Sequence, residues 1–475
     1  MKIVVVGGGL AGLAAAHKLE SLLPESEITL TERSDRVGGV LLTERIDGFL
    51  IEGGPDSFLS RKERGVGLCE ELGIAGELVG RKPENARSYV RHGSELHQLP
   101  EGLTGMIPTD LDALAESTLL SRAGRERLAA EVDLPPEPPG ADESIASFVT
   151  RRLGAEAYER LVEPLMTGIY CGDGAQLSLQ ATFPNLRVLE LEHGSVIRGL
   201  SAQSAASASS YAPFVTLASG MQTLAVRLAR RLRRTRVLTG RVALGVRGGD
   251  LGYEVELDEG ERLHADGVVV AVPGFTAAEL LADLDLELAA VHAEIPYASS
   301  AVVTLAYREG DVAHSLDGYG YVVPRAAGSD VLACSWSSSK WEGRAPGSSV
   351  LIRVYAGRFG ERDVTLDADD ELVELARNEL RVLEIEAEPS LSRVQRWPRG
   401  MPQYVLGHPE RLERIDAALA GHPGLALAGA AYRGVGIPDC IHSGEEAARS
   451  LAESLARHPG TRARPPSGSS PRLSN

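Results

Sequence analysis

The first 32 residues constrain the fold more than any other stretch. Lys2-Ile3-Val4-Val5-Val6 reads as a buried strand, Gly7, Gly9 and Gly12 follow in GxGxxG spacing, residues 10–23 carry helical periodicity, and residues 28–30 read as a second strand. A glycine turn between a strand and a helix lets the backbone approach a pyrophosphate at the helix N-terminus, where Leu10 and Ala11 begin the helix. Leu10, Leu13, Ala14 and His17 share one helical stripe and Lys18 and Glu20 fall on the solvent side, so the helix is expected to pack on a parallel sheet. Glu32 follows Gly12 by 20 residues at the end of the second strand. There a carboxylate accepts hydrogen bonds from adenosine ribose hydroxyls, and the whole unit specifies an adenine dinucleotide.

The next residues favour FAD over NAD. Glu32-Arg33-Ser34-Asp35-Arg36-Val37-Gly38-Gly39 adds an arginine and a second glycine pair, and this string resembles the flavin-containing amine-oxidase superfamily. The resemblance implies that Arg36 lies near the FAD phosphates, that Gly38 and Gly39 admit the cofactor closely, and that Arg33, Gly53 and Gly54 line the same site. Ala218-Ser219-Gly220-Met221-Gln222-Thr223-Leu224 resembles that superfamily's glycine turn before a helix, and Val242 stands where its members contact adenine through the backbone. Far downstream, the run from Leu427 to Ile441 resembles the strand, turn and helix that close over the flavin, which implicates Gly429, Val435, Gly436 and Ile437. Cofactor motifs at both ends imply an α/β fold with a discontinuous Rossmann-like FAD-binding domain.

Composition limits the partners. With 49 Lys plus Arg against 66 Asp plus Glu in 475 residues, the surface repels nucleic acid, and any anionic substrate must meet a local cluster of cations inside a cleft. Cys69, Cys171, Cys334 and Cys440 show no CxxC pairing and no zinc-ligand spacing, so reduced thiols in a cytoplasmic protein are expected and no metal site is implied. No basic leader precedes the first strand, and no apolar run approaches the roughly 20 residues that span a bilayer; peripheral attachment stays open.

The chain divides in expectation into an FAD-binding unit (1–84, 214–290 and 398–457), a mixed-sheet substrate unit (85–104 and 291–397) and a helical unit (105–200). The Ala/Ser-rich residues 201–213 read as a flexible connection and 458–475 as a disordered tail. Residues 236–246 read as one strand, and the proline-rich stretch 134–140 as a loop.

A narrower resemblance rests on Gly434-Val435-Gly436-Ile437-Pro438-Asp439-Cys440-Ile441, on Glu163-Pro164-Leu165-Met166-Thr167-Gly168-Ile169-Tyr170-Cys171-Gly172-Asp173 and on Leu177-Ser178-Leu179. These are similar to the protoporphyrinogen and coproporphyrinogen oxidases over nearly the whole chain. One departure is Ala430, where many members carry a polar residue. The resemblance implies six-electron oxidation of a porphyrinogen in haem biosynthesis by hydride transfer to flavin N5, with reoxidation by O2 to hydrogen peroxide. No catalytic side chain is expected, because the flavin supplies the chemistry and the protein orients the substrate. Arg87 matches a propionate-binding position, Gly168 and Ile169 match the segment lining the macrocycle, and Val322 and Tyr355 match positions on the second sheet. Coproporphyrinogen III is favoured over protoporphyrinogen IX, and a ferrochelatase contact stays open. The competing readings are a flavin amine oxidase, a carotenoid desaturase-like enzyme and a non-catalytic tetrapyrrole carrier.

Overall fold

The computed structural model describes residues 1–138, 140–206, 211–249 and 252–457. The N-terminal unit forms β1 (Lys2–Val6), α1 (Leu10–Leu22) and β2 (Glu27–Glu32). Three distant segments, β3 (Thr235–Thr239), β4 (Gly267–Val270) and β5 (Leu425–Leu427), complete a parallel sheet in the order β3-β2-β1-β4-β5. Ile3 and Val5 pack toward α1 while Val4 and Val6 pack into a separate core on the other face, so the sheet is covered on both sides. The C-terminal helix α2 (Ile437–Arg457) lies directly against α1. A Cβ on Gly444 would stand 2.1 Å from the Ala11 carbonyl oxygen, so this approach requires glycine.

Two local expectations fail here for physical reasons. Glu20 is buried: its carboxylate accepts the backbone N–H groups of Arg233 (3.0 Å), Arg234 (2.7 Å) and Thr235 (2.8 Å), which ties α1 to the start of β3. Burial alone would raise its pKa, but these bonds hold it below the usual carboxylate value. The stretch 236–246 is two strands, because the chain turns at Gly240 (φ +67°). There Gly240 N–H donates to Ser34 O and Arg241 N–H to Glu32 O, and Ala243–Gly249 then joins a separate antiparallel sheet with Gly252–Leu257 and Arg262–Ala265.

The second large sheet has seven strands in the order Leu391–Pro402, Tyr297–Arg308, Ser349–Ala356, Val331–Trp336, Gly320–Val322, Tyr89–His92 and Glu95–Gln98. It is mixed, since Gly320–Val322 runs parallel to Tyr89–His92 and the other neighbours are antiparallel. Val303, Cys334 and Val354 on one face pack with Leu372 and Ala376 of the helix Asp369–Glu379. Strand alternation puts Val322, Ala333, Tyr355 and Val302 in one cross-strand row on the other face.

A further core joins Phe148, Leu161, Met166 and Leu189 among the helices of residues 111–206. The helix Val196–Ala206 runs into the stretch expected to be a flexible connection. Alanine is the strongest helix former, which overrides the linker-like composition. Residues 207–210, Pro139 and the tail 458–475 lie outside the described residues. Among the described residues, no helix is long and apolar enough to cross a membrane.

Candidate cofactor and substrate site

Among the described residues no side chain caps the N-terminus of α1, and a Cβ on Gly9 would meet none of their atoms within 4 Å, so the space beside this turn is open. That is the cradle a pyrophosphate needs. Glu32 Oε2 accepts Gly8 N–H (2.8 Å) and Oε1 accepts both the Ser34 N–H (2.8 Å) and the Ser34 hydroxyl (2.7 Å). One lone pair on Oε2 is left for a ribose hydroxyl. The bonds from Gly240 and Arg241 to the end of β2 bring Val242 to the same corner, where its carbonyl accepts Asp258 N–H (2.8 Å).

The second glycine pair meets the first. Gly38 N–H donates to Gly8 O (2.8 Å), and a Cβ on Gly39 would stand 3.4 Å from Gly9 Cα. Arg36 lies here too, but its guanidinium donates to Gly39 O (2.7 Å) and Leu41 O (3.0 Å), so in this structure it braces the turn. The Arg33 side chain is exposed. Gly53 and Gly54 fold under that turn: Gly53 N–H donates to Leu42 O (2.8 Å), and a Cβ on Gly54 would collide with Val40 O. Trp397 Nε1 donates to Gly53 O (2.9 Å), joining the mixed sheet to this loop.

At the other end, Gly429 N–H donates to the Ser443 hydroxyl (2.9 Å), and Val435 and Gly436 lead into Ile437, the first residue of α2. Asp439 accepts Gly436 N–H (3.1 Å) and pairs with Lys62 (2.7 Å). Tyr404, absent from the sequence reading, holds this turn. Its hydroxyl donates to Ala430 O (2.6 Å) and accepts Gly434 N–H (2.8 Å), and its ring sits in the helical core near Tyr170. His408 stacks on Tyr404 at 4.3 Å and its Nε2–H donates to Tyr432 O (2.9 Å), while Nδ1 is buried without a partner among the described residues.

Burial, with Arg411 and Arg433 adding to it against the favourable Tyr432 bond, lowers the His408 pKa to about 4. An unfolded histidine titrates near 6.5, so the folded state demands the neutral ring. Its contribution to stability is complete above about pH 6.5 and declines as pH falls toward 4, by about 3 kcal/mol in all. The melting temperature is expected to fall through that window, and less steeply in His408→Gln; equal slopes would remove His408 from the account.

The substrate candidates converge only in part. A Cβ on Gly168 would be 3.6 Å from Val322 Cγ1, so the helix Glu163–Tyr170 rests on the cross-strand row that also holds Tyr355. Ile169, on that helix, is 46% exposed. Arg87 is exposed and already paired with Asp317 (2.6 Å), at the edge of the mixed sheet. The interior cations are others. Arg353, on the face of Tyr355, donates to Gly54 O (2.5 Å) and lies 3.7 Å from Asp56; Lys340 (2.9 Å) and Trp341 Nε1 (3.0 Å) also reach Asp56. The period of two along Arg353-Val354-Tyr355 was a usable signal for Arg353. Nothing local marks Lys340.

The uncapped helix end, the open space at Gly9 and the spare Glu32 lone pair all fit a dinucleotide. The family model for flavin containing amine oxidoreductases matches residues 10–452, and the chain belongs to that family. It is an FAD-dependent oxidoreductase. A coproporphyrinogen III oxidase of Bacillus subtilis (strain 168) is 37% identical over 458 residues, covering 94% of this chain and 96% of that one. Protoporphyrinogen oxidase 1, chloroplastic, of Arabidopsis thaliana is 30% identical over 485 residues, with 96% and 88% covered. A crystal structure of an Exiguobacterium sp. 255-15 protein named as a protoporphyrinogen oxidase matches at TM-score 0.84 and 32% identity, with 95% and 98% covered.

Proposed function

We propose that this protein oxidises a porphyrinogen to a porphyrin in haem biosynthesis, with coproporphyrinogen III as the preferred substrate and oxygen as the acceptor. The carrying observation is the meeting of the Gly53-Gly54 loop with the sheet face of Arg353 and Tyr355, on whose cross-strand row the helix of Gly168 and Ile169 also rests. Bound FAD supplies the hydride acceptor. The chain's part is to hold it through the α1 N-terminus, Glu32 and the 429–437 turn, and to keep the macrocycle against it. Similarity to the named oxidases over nearly the full chain supports this reading. In it the three packed units act as cofactor, substrate-sheet and helical units, the enzyme works in the cytoplasm or at a membrane surface, and its product passes to a ferrochelatase.

The amine-oxidase reading loses support from Tyr432. That reading calls for an aromatic pair at the flavin, but the Tyr432 ring is buried edge-on against His292, and its hydroxyl is 3.1 Å from His292 Nε2. The test is porphyrin fluorescence after mixing the FAD-loaded protein in air with coproporphyrinogen III or protoporphyrinogen IX. Acceleration well above autoxidation, greater with coproporphyrinogen III, is expected; no acceleration with either would overturn the reading.

A further inference from the structure

We infer that Arg81, Lys340 and Arg353 form an internal receptor for a substrate carboxylate, one that a four-propionate porphyrinogen carries and a two-propionate, two-vinyl porphyrinogen lacks. The inference rests on the porphyrinogen reading and adds a basis for choosing between the two substrates. In a chain of net charge −17, Lys340 and Arg353 gather at one carboxylate, Asp56, and Arg81 acts on Lys340 as a further like charge. Lys340 neutralises Asp56 at 2.9 Å, which leaves two positive charges in surplus.

Arg353 is 1% exposed, yet among the described residues its Nε and Nη1 have no hydrogen-bond acceptor, the Asp56 carboxylate standing 3.7 Å from Nη1. Its guanidinium lies 5.0 Å from the centre of the Tyr355 ring, on the sheet face that meets Gly54. Arg81 lies between the rings of Tyr319 (4.4 Å) and Phe214 (4.7 Å), and among the described residues it has no hydrogen bond or carboxylate partner within ion-pair distance. Burial lowers the pKa values of both Arg81 and Lys340, as expected of cations held out of water without full compensation. Another buried acid, Glu52, is taken by Arg344 (3.7 Å) and by Met221 N–H (2.9 Å).

Buried donors left unmade are costly, and a carboxylate satisfies them with charge-assisted bonds. A vinyl group in the same place would leave Arg353 Nε and Nη1 unsatisfied. A site built to hydrogen-bond a polar group discriminates strongly against an analogue without it. Arg87, paired and exposed at the sheet edge, is left for a carboxylate common to both substrates.

The test uses the FAD-loaded holoenzyme and initial rates with coproporphyrinogen III and protoporphyrinogen IX, in Arg81→Leu, Lys340→Leu and Arg81→Lys. Arg81→Leu breaks no hydrogen bond among the described residues, so it remains informative if Lys340→Leu is unstable. The expected result is a KM for coproporphyrinogen III raised about tenfold or more in the leucine variants, little change with protoporphyrinogen IX, and recovery in Arg81→Lys. Equal losses with both substrates, or an unchanged KM in Arg81→Leu, would overturn the receptor. So would a shift in flavin potential alone, which would assign the charges to the cofactor. Failure of the wild-type enzyme to oxidise either substrate would instead remove the functional reading beneath it, an outcome distinct from the others.

Discussion

Arg152→Ala is expected to destabilise the helical unit by about 3–5 kcal/mol, seen as a large loss in urea midpoint and in melting temperature. Arg152 is 1% exposed, and Glu131, its partner, is fully buried. The guanidinium also donates to Pro135 O (3.0 Å) and Gly194 O (3.0 Å), so one side chain holds the proline loop and the turn after Pro184–His193 together. The Glu131 carboxylate bonds the Ser195 hydroxyl and the backbone N–H of Val196 (2.9 Å) and Ile197 (3.3 Å), at the start of the helix Val196–Ala206. Truncating Arg152 strands that carboxylate without its counter-ion. A change below about 1 kcal/mol, the range of an exposed pair, would show that the centre is more hydrated than its burial implies.

Gly12→Ala is expected to weaken FAD binding about a hundredfold, read as loss of bound flavin from the purified protein. The added methyl would stand 1.9 Å from the Gly7 carbonyl oxygen and 3.3 Å from Ala271 Cβ. Backbone must therefore move, and the part that moves is the turn proposed to cradle the pyrophosphate. Overpacking of this kind costs about 1–3 kcal/mol, and the upper end corresponds to that loss of affinity. A Gly12→Ala protein with full flavin content and unchanged affinity would remove the α1 N-terminus from the cofactor site.

The sequence made the cofactor half legible because its requirements are local. A strand, a glycine turn, a helix and a carboxylate at fixed spacing leave few folds open, and Gly38 to Gly8 and Arg241 to Glu32 then fall together as backbone bonds. Pairings across long separations carried no such mark. Glu20 looked like a solvent-side residue because helical periodicity records a face and is blind to the N–H groups of residues 233–235, more than two hundred positions away. Nothing local in the helical stretch marks Glu131 and Arg152 as a buried pair, for the same reason. The net negative charge called for a cation cluster in a cleft, and Arg87 was its candidate; Arg353 and Lys340 instead meet at Asp56 in the folded chain, with Arg81 held between Tyr319 and Phe214. Tyr404 was equally hidden, since its staple joins residues 430 and 434 to the core of the helical unit.

The central claim is that electrons pass from a porphyrinogen to the flavin of this protein, and anaerobic mixing tests it most directly. Coproporphyrinogen III is predicted to bleach the absorbance of the bound oxidised flavin in a single turnover, and admitting air is predicted to restore it. A flavin left oxidised by coproporphyrinogen III and by protoporphyrinogen IX, yet bleached by a diamine such as putrescine, would contradict the account and return the protein to amine oxidation.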